Sequence, residues 1–150
     1  MGTVLDLVAD SPRHSVDAGT VVLEQGQSDA PLLVLIQGDV EILRDDVRVA
    51  RITEPGAVLG EMSALLGTVC TASVRTLAPS TFARLEDPEK FLRSSPEVTL
   101  HVARLLARRL DSLNKYLVDV KAQYEGHDHL GMVDEVLETL MHRHPRPAGR

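Results

Sequence analysis

The sequence has no tryptophan, two tyrosines and two phenylalanines, so aromatic residues make up only 3% of its 150 positions. Its core must therefore be assembled from Leu, Val, Ala and Ile rather than from stacked rings. One cysteine, Cys70, excludes an internal disulfide and a cysteine-rich metal site, and nothing points to an oxidising compartment. No run approaches the roughly 18 apolar residues of a membrane helix. The first ten residues also lack a cationic segment leading into an apolar one, so a cytoplasmic protein without membrane contact is expected. Positive charge is short as well: 16 Lys and Arg against 22 Asp and Glu leave a net charge of -6. That sign argues against direct DNA binding, which needs an excess of cations to hold phosphates. Catalytic signatures are missing too. There is no Gly-x-Ser-x-Gly elbow, no Walker-type Gly-Lys-Ser/Thr and no cleft-like pair of carboxylates, so no catalytic residue is assigned and no enzyme is expected.

What is present suffices for one core with a tail, and 43% hydrophobic with 25% charged residues is a globular balance. From about Thr20 to Leu85 the apolar residues come in short groups separated by Gly, Pro and Asp. From about Pro88 onward they recur every three or four residues. The chain is thus β-rich first and helical last. Strands are predicted at Thr20–Leu23, Leu32–Ile36, Val40–Ile42, Val47–Val49, Ala72–Arg75 and Phe82–Leu85. Gly38-Asp39 reads as the two-residue turn of a hairpin joining the second and third of these, and Asp45-Asp46 as another tip. Short strands at such spacing, without βαβ alternation, predict a closed or sandwiched β-structure.

Asp87-Pro88-Glu89 and Ser95-Pro96-Glu97 each supply a capping side chain followed by proline, which starts a helix. Along the second helix Leu106, Leu110, Leu113, Leu117, Val120 and Tyr124 are spaced as a heptad seam. A seam of that length predicts a homodimer through this helix, the alternative being packing against the β-structure alone. Gly126 breaks the helix, and Val133, Val136, Leu137, Leu140 and Met141 mark one face of a short final one. The expected boundaries are an N-terminal helical segment over 1–17, the β-structure plus long helix over 18–124, and a short helix and tail over 125–150. His127-Asp128-His129 and His142-Arg143-His144 lack complementary ligands at a recognised spacing, so no metal site is assigned. Arg104, Arg108 and Arg109 form a basic helical face with no helix-turn-helix after it.

Between the two halves lies Gly60-Glu61-Met62-Ser63-Ala64-Leu65-Leu66, followed by Thr71-Ala72-Ser73-Val74. A glycine-led short helix after a strand presents unpaired amides at its N-terminus, where the partial positive charge suits a phosphate. Glu61 would repel that phosphate but can accept hydrogen bonds from sugar hydroxyls. Read without context, it is equally an ordinary first-turn acid.

The segment resembles the phosphate-binding cassette of the cyclic-nucleotide-binding domain family. Ala18-Gly19-Thr20, Glu24-Gln25-Gly26, the stretch Val34–Ile42 and Pro55-Gly56 resemble the family's other turns in the right order, and Leu106–Leu110 its later helices. The resemblance covers about Asp17 to Leu117. It implies a mainly β fold with helices: a double-stranded β-helix, jelly-roll-like β-roll with C-terminal helices, the long one a dimerisation helix. It also implies a ligand, cAMP or cGMP, contacted by Gly60, Glu61, Met62, Ser63, Cys70, Thr71 and Ala72. In that arrangement Glu61 holds the ribose 2′-hydroxyl, the amides near Met62 and Ser63 the cyclic phosphate, and Thr71 a phosphate oxygen. Asn114 lies about where family members contact the purine, the alternative being an exposed helical Asn.

One departure matters. The family's phosphate-binding arginine falls at position 70, and here the residue is Cys70. A thiol cannot supply a fixed guanidinium fork, and a hydrogen bond to a charged group contributes roughly 1.5–3 kcal/mol. Two readings stay open: a sensor acting through its long helix on a dimer mate or an unidentified protein partner, and a degenerate domain that keeps the fold, binds no nucleotide and recognises only proteins.

Overall fold

Short apolar groups punctuated by Gly, Pro and Asp cannot sustain a long helix, and between Arg13 and Leu85 they form eight strands and one six-residue helix. The computed structural model describes residues 4–123, 136 and 138–140. The chain divides into a first unit, Met1–Val102, and a second, Ala103–Arg150. The first unit begins with α1 (Val4–Leu7), β1 (Arg13–Val16), β2 (Val21–Leu23), β3 (Leu32–Gln37), β4 (Val40–Arg44) and β5 (Val47–Ile52). It continues with β6 (Val58–Leu59), α2 (Glu61–Leu66), β7 (Ser73–Thr76), β8 (Ser80–Leu85), α3 (Pro88–Leu92) and the start of α4 (Pro96–Gln123). Residues 13–16, expected within a helical N-terminal segment, are instead a strand paired with β8.

Two four-stranded antiparallel sheets result, ordered β1-β8-β3-β6 and β2-β7-β4-β5. This is the expected mainly β roll with C-terminal helices. Leu33, Leu35, Leu59 and Phe82 of the first sheet meet Leu23, Val40 and Val74 of the second in one core that is aliphatic apart from Phe82. Full burial of each such side chain contributes roughly 1.5–3 kcal/mol, so a core nearly without rings is adequate. Leu32, Val34, Val58 and Ala83, on the opposite face of the first sheet, are buried as completely. Outside the strands, Val4, Val8, Leu92, Val98 and Val102, in or next to the helices, are buried as well, as are Ala57 and Cys70 in the loops. Burial on both faces explains why β3 is a continuous apolar run rather than an alternating one. The second sheet keeps one face open, and β5 is exposed along nearly its whole length.

The hairpin expected at Gly38-Asp39 does not form. β3 pairs with β8 and β6, whereas β4 pairs with β5 and β7, so the two strands lie in different sheets. A two-residue hairpin of the I′ type needs positive φ at both central residues, and here only Gly38, at φ 149°, has it. The dipeptide is a corner between sheets, tied to the return corner between β7 and β8. Ser80 Oγ accepts from the Asp39 amide at 3.2 Å, and the Leu77 amide donates to the Asp39 carbonyl at 2.7 Å. The true hairpin is β4–β5, where Asp45 and Asp46 both take positive φ, 52° and 63°. Val49 is an extra residue in that ladder, since Ile42 faces Ala50 while Leu43 faces Arg48.

On the open face of the second sheet, Glu41 is buried between two guanidinium groups. Arg75 donates to its Oε2 from Nε at 3.1 Å and from a terminal nitrogen at 3.0 Å, and Arg48 Nε donates to Oε1 at 3.3 Å. The Arg75 hydrogen bonds, with a smaller contribution from Arg48, hold the carboxyl below its ordinary 4.5 despite the opposing cost of burial. Because the folded pKa is the lower one, this stabilisation is present above the unfolded value and is lost as pH falls through the folded value. Glu41→Gln should therefore unfold at lower urea than the parent at pH 7. The gap should close once the pH drops well below about 4. An equal gap at pH 7 and pH 3 would show that the ion pairs are not its source.

The described part of the second unit is the remainder of α4, residues 103–123, with residues 136 and 138–140, which are helical as expected for the final helix. Along α4, Leu110 and Leu113 of the heptad seam are exposed, and Leu106, Leu117 and Val120 are half-exposed. Tyr124, Gly126, the two histidine pairs and the terminal tail lie outside the described residues. No helix among the described residues is long and apolar enough to cross a membrane.

Candidate nucleotide-binding site

The cassette is positioned by backbone necessity. β6 ends at Gly60, which adopts a left-handed conformation (φ 89°, ψ 7°) and turns the chain into α2. A Cβ at this position would lie 3.2 Å from the Pro31 carbonyl oxygen and 3.3 Å from Leu23 Cδ1, so only glycine combines this φ with so close an approach. No side chain caps α2, and a helix N-terminus is where backbone amides point toward an acceptor. Ser63 is turned back onto the helix: its Oγ donates to the Gly60 carbonyl at 3.1 Å. Gly67 closes the helix through its amide to the Ser63 carbonyl.

Cys70 sits directly beside this turn. Its amide donates to the Gln27 carbonyl at 2.9 Å and its carbonyl accepts from the Gly26 amide at 2.8 Å, which fastens the cassette to the loop after β2. Its sulfur lies 3.9 Å from Ser63 Oγ and the residue is 4% exposed. The structure thus brings Gly60, Ser63 and Cys70 into one cluster, with Glu61, also 4% exposed, at the first position of the helix. Met62 points its side chain outward, so any part it takes comes from its amide. Thr71 and Ala72 are half-buried and lead into β7. Asn114 belongs to the second unit; its Oδ1 is buried and makes no hydrogen bond among the described residues.

No substitute cation is brought to the cluster by Arg75, because Glu41 engages it on the open sheet face. That pair is scarcely legible in the sequence. Its only signal was that position 41 and position 75 fall on strands with the same inward and outward alternation.

A hollow of about 750 Å³ adjoins the cassette, bounded by the β2–β3 loop, the end of α2 and the start of α3. It includes Ser63 but none of Gly60, Glu61, Cys70 or Thr71, and its charged lining is acidic: Asp29, Glu86, Asp87 and Glu89. Such a lining repels a phosphate, so we separate this hollow from the cassette site. Among the described residues, no three His, Cys, Asp or Glu side chains are grouped as metal ligands.

Comparison with known proteins agrees with this geometry. The family model for the cyclic nucleotide-binding domain matches residues 13–93. Patatin-like phospholipase domain-containing protein 7 of Rattus norvegicus is 26% identical over 104 residues, which is 65% of this chain and 8% of that protein. The chain thus spans a small fraction of the curated relatives it matches. Among solved structures, the catabolite activator protein of Thermus thermophilus superposes with a TM-score of 0.63 at 23% identity, covering 93% of this chain and 81% of that one. A cyclic nucleotide-binding domain from Methylobacillus flagellatus gives 0.62 at 21% identity, covering 83% and 75%. With the glycine-led cassette, the two-sheet roll and the family match all in place, the chain belongs to the cyclic nucleotide-binding domain family.

Proposed function

We infer that this domain is a regulatory sensor for a cyclic nucleotide, cAMP or cGMP, that works through α4. The observation that carries the reading is the uncapped start of α2 at left-handed Gly60, with Glu61 beside it. Those amides suit a cyclic phosphate and the carboxylate suits ribose hydroxyls. Phosphate recognition here rests on amides and the Thr71 hydroxyl without a guanidinium, so affinity is about ten- to hundredfold below that of an arginine-bearing cassette. The role is regulatory rather than catalytic, as the family is, and the setting is the cytoplasm, in keeping with one free, buried thiol. DNA is not contacted directly.

Calorimetric titration with cAMP and cGMP tests this: saturable heat is expected, and flat traces up to millimolar nucleotide would end the sensor reading. A second reading has its own observation. Cys70 is buried where a cation is expected and Arg75 is committed elsewhere, which favours a domain that recognises only proteins. In either case the exposed leucines of α4 are the surface on which two copies meet. Light scattering should return twice the chain mass, and a monomer would remove that part of the proposal.

A further inference from the structure

We propose that the outer edge of β5 takes an extended acidic segment of a partner protein as an added strand. The second sheet runs β2-β7-β4-β5, so β5 hydrogen-bonds on its β4 side and, among the described residues, has no strand beside it on the other. Edges of this kind are commonly shortened or covered. β5 is six residues long and its first five are exposed, Val47 and Val49 at 63% and 60%. It is also held in shape at one end: the Gln25 side chain accepts from the Asp45 amide and donates to the Asp45 carboxylate, both at 2.9 Å, which pins the β4–β5 tip. At a preformed edge, backbone hydrogen bonds supply affinity and alternate side chains supply selectivity.

The strand's own side chains select the occupant. Arg51 lies opposite Glu41 and Arg48 opposite Leu43, and positions 41 and 43 share one face of β4, so both arginines stand on the open face of the sheet. Both are more than half exposed, whereas the carboxylates they meet, Glu41 and Asp39, are 6% and 19% exposed and lie beneath them. Those carboxylates are already engaged, Glu41 by Arg75 as well as Arg48, and Asp39 by two nitrogens of Arg51. Arg48 gives only its Nε to Glu41, and its terminal nitrogens have no acceptor among the described residues. Asp45 and Asp46 before the strand and Glu54 after it bound this cationic stretch. A regular strand laid along β5 meets Arg48 and Arg51 with residues two apart, as β4 does, so the occupant reads acid-x-acid. A second copy of β5 is opposed, because it brings four guanidinium groups onto one short face. β5 contributes nothing to the cassette, so binding at this edge is independent of nucleotide.

The test titrates a short fluorescein-labelled peptide, Glu-Val-Glu flanked by threonines, into the full chain and follows anisotropy. Saturable, salt-sensitive binding is expected, and hydrogen exchange should show β5 amides becoming protected as the peptide binds. Arg48→Gln/Arg51→Gln should weaken binding by about fivefold, the worth of two exposed ion pairs, and flatten the salt dependence. Glutamine keeps a donor for each carboxylate and both positions are more than half exposed, so circular dichroism should show this variant folded. Methylating alternate backbone nitrogens of the peptide removes the donors from one of its two edges, so one methylation pattern should abolish binding and the complementary one should not. The proposal is overturned by absence of saturation at millimolar peptide, by equal binding of the Lys-Val-Lys version, by unchanged affinity in the arginine variant, or by equal binding of the two methylated peptides. Protection of the outer β5 amides in the chain alone, unchanged by peptide, would also overturn it, in favour of a second copy on this edge.

Discussion

Gly38→Ala is expected to destabilise the domain by about 2–6 kcal/mol, the sum of an overpacking cost of about 1–3 and a backbone strain of about 1–3. An added Cβ would stand 2.1 Å from Ser80 Oγ, 2.4 Å from its Cβ and 2.8 Å from its Cα. A side chain could swing away, but an α-carbon moves only with its strand. β8 sits between β1 and β3 at the centre of the first sheet, so its shift would disturb both ladders. Ser80 Oγ also holds the Asp39 amide, and displacing it leaves that donor unpaired. Urea unfolding measures the effect, and Ser80→Gly in the same chain should restore part of the loss but not all, since the Cα clash persists. A variant within about 0.5 kcal/mol of the parent would mean that the two corners are not in contact.

Cys70→Arg should tighten cyclic nucleotide binding by about ten- to hundredfold, the worth of one charge-assisted hydrogen bond or a bidentate pair to phosphate. Position 70 is already aimed at the cassette turn, with its sulfur 3.9 Å from Ser63 Oγ and its backbone clamped on both sides by Gly26 and Gln27. The longer side chain begins where it is needed. Because the residue is buried, thermal unfolding must accompany the titration, and Cys70→Ser serves as a neutral control of similar size that should leave affinity within about threefold. If the arginine variant folds and binds no better than the parent, phosphate recognition at this turn is refuted, and the protein-recognition reading stands.

How much of this could be read in advance depended on whether the cause was local. The caps at Asp87 and Ser95, the β4–β5 tip and the glycine-led cassette are each decided by residues within a few positions, and each is where the sequence places it. Sheet membership is different. Gly38-Asp39 has the composition of a tight turn whether the chain doubles back within one sheet or crosses to another. The choice is made by Ser80 and Leu77, some forty residues later. β1 was missed for a similar reason. Arg13-His14-Ser15-Val16 is polar and exposed on most of its length, and only pairing with β8 makes it a strand. At the site, position 70 was legible as a loss of charge, whereas the fate of Arg75 was not, because it depended on Glu41 across the sheet.

The pairing of β1 with β8 sets a timetable for the nascent chain. Ser15 and Thr81, hydrogen-bonded at 2.9 Å, are 66 residues apart, and synthesis at roughly 5–20 residues per second separates their appearance by several seconds. Throughout that interval Arg13–Val16 has left the ribosome with no partner. Its one half-buried apolar residue, Val16, among Arg, His and Ser, makes it a segment that water tolerates while it waits, and which neighbouring chains find little reason to capture.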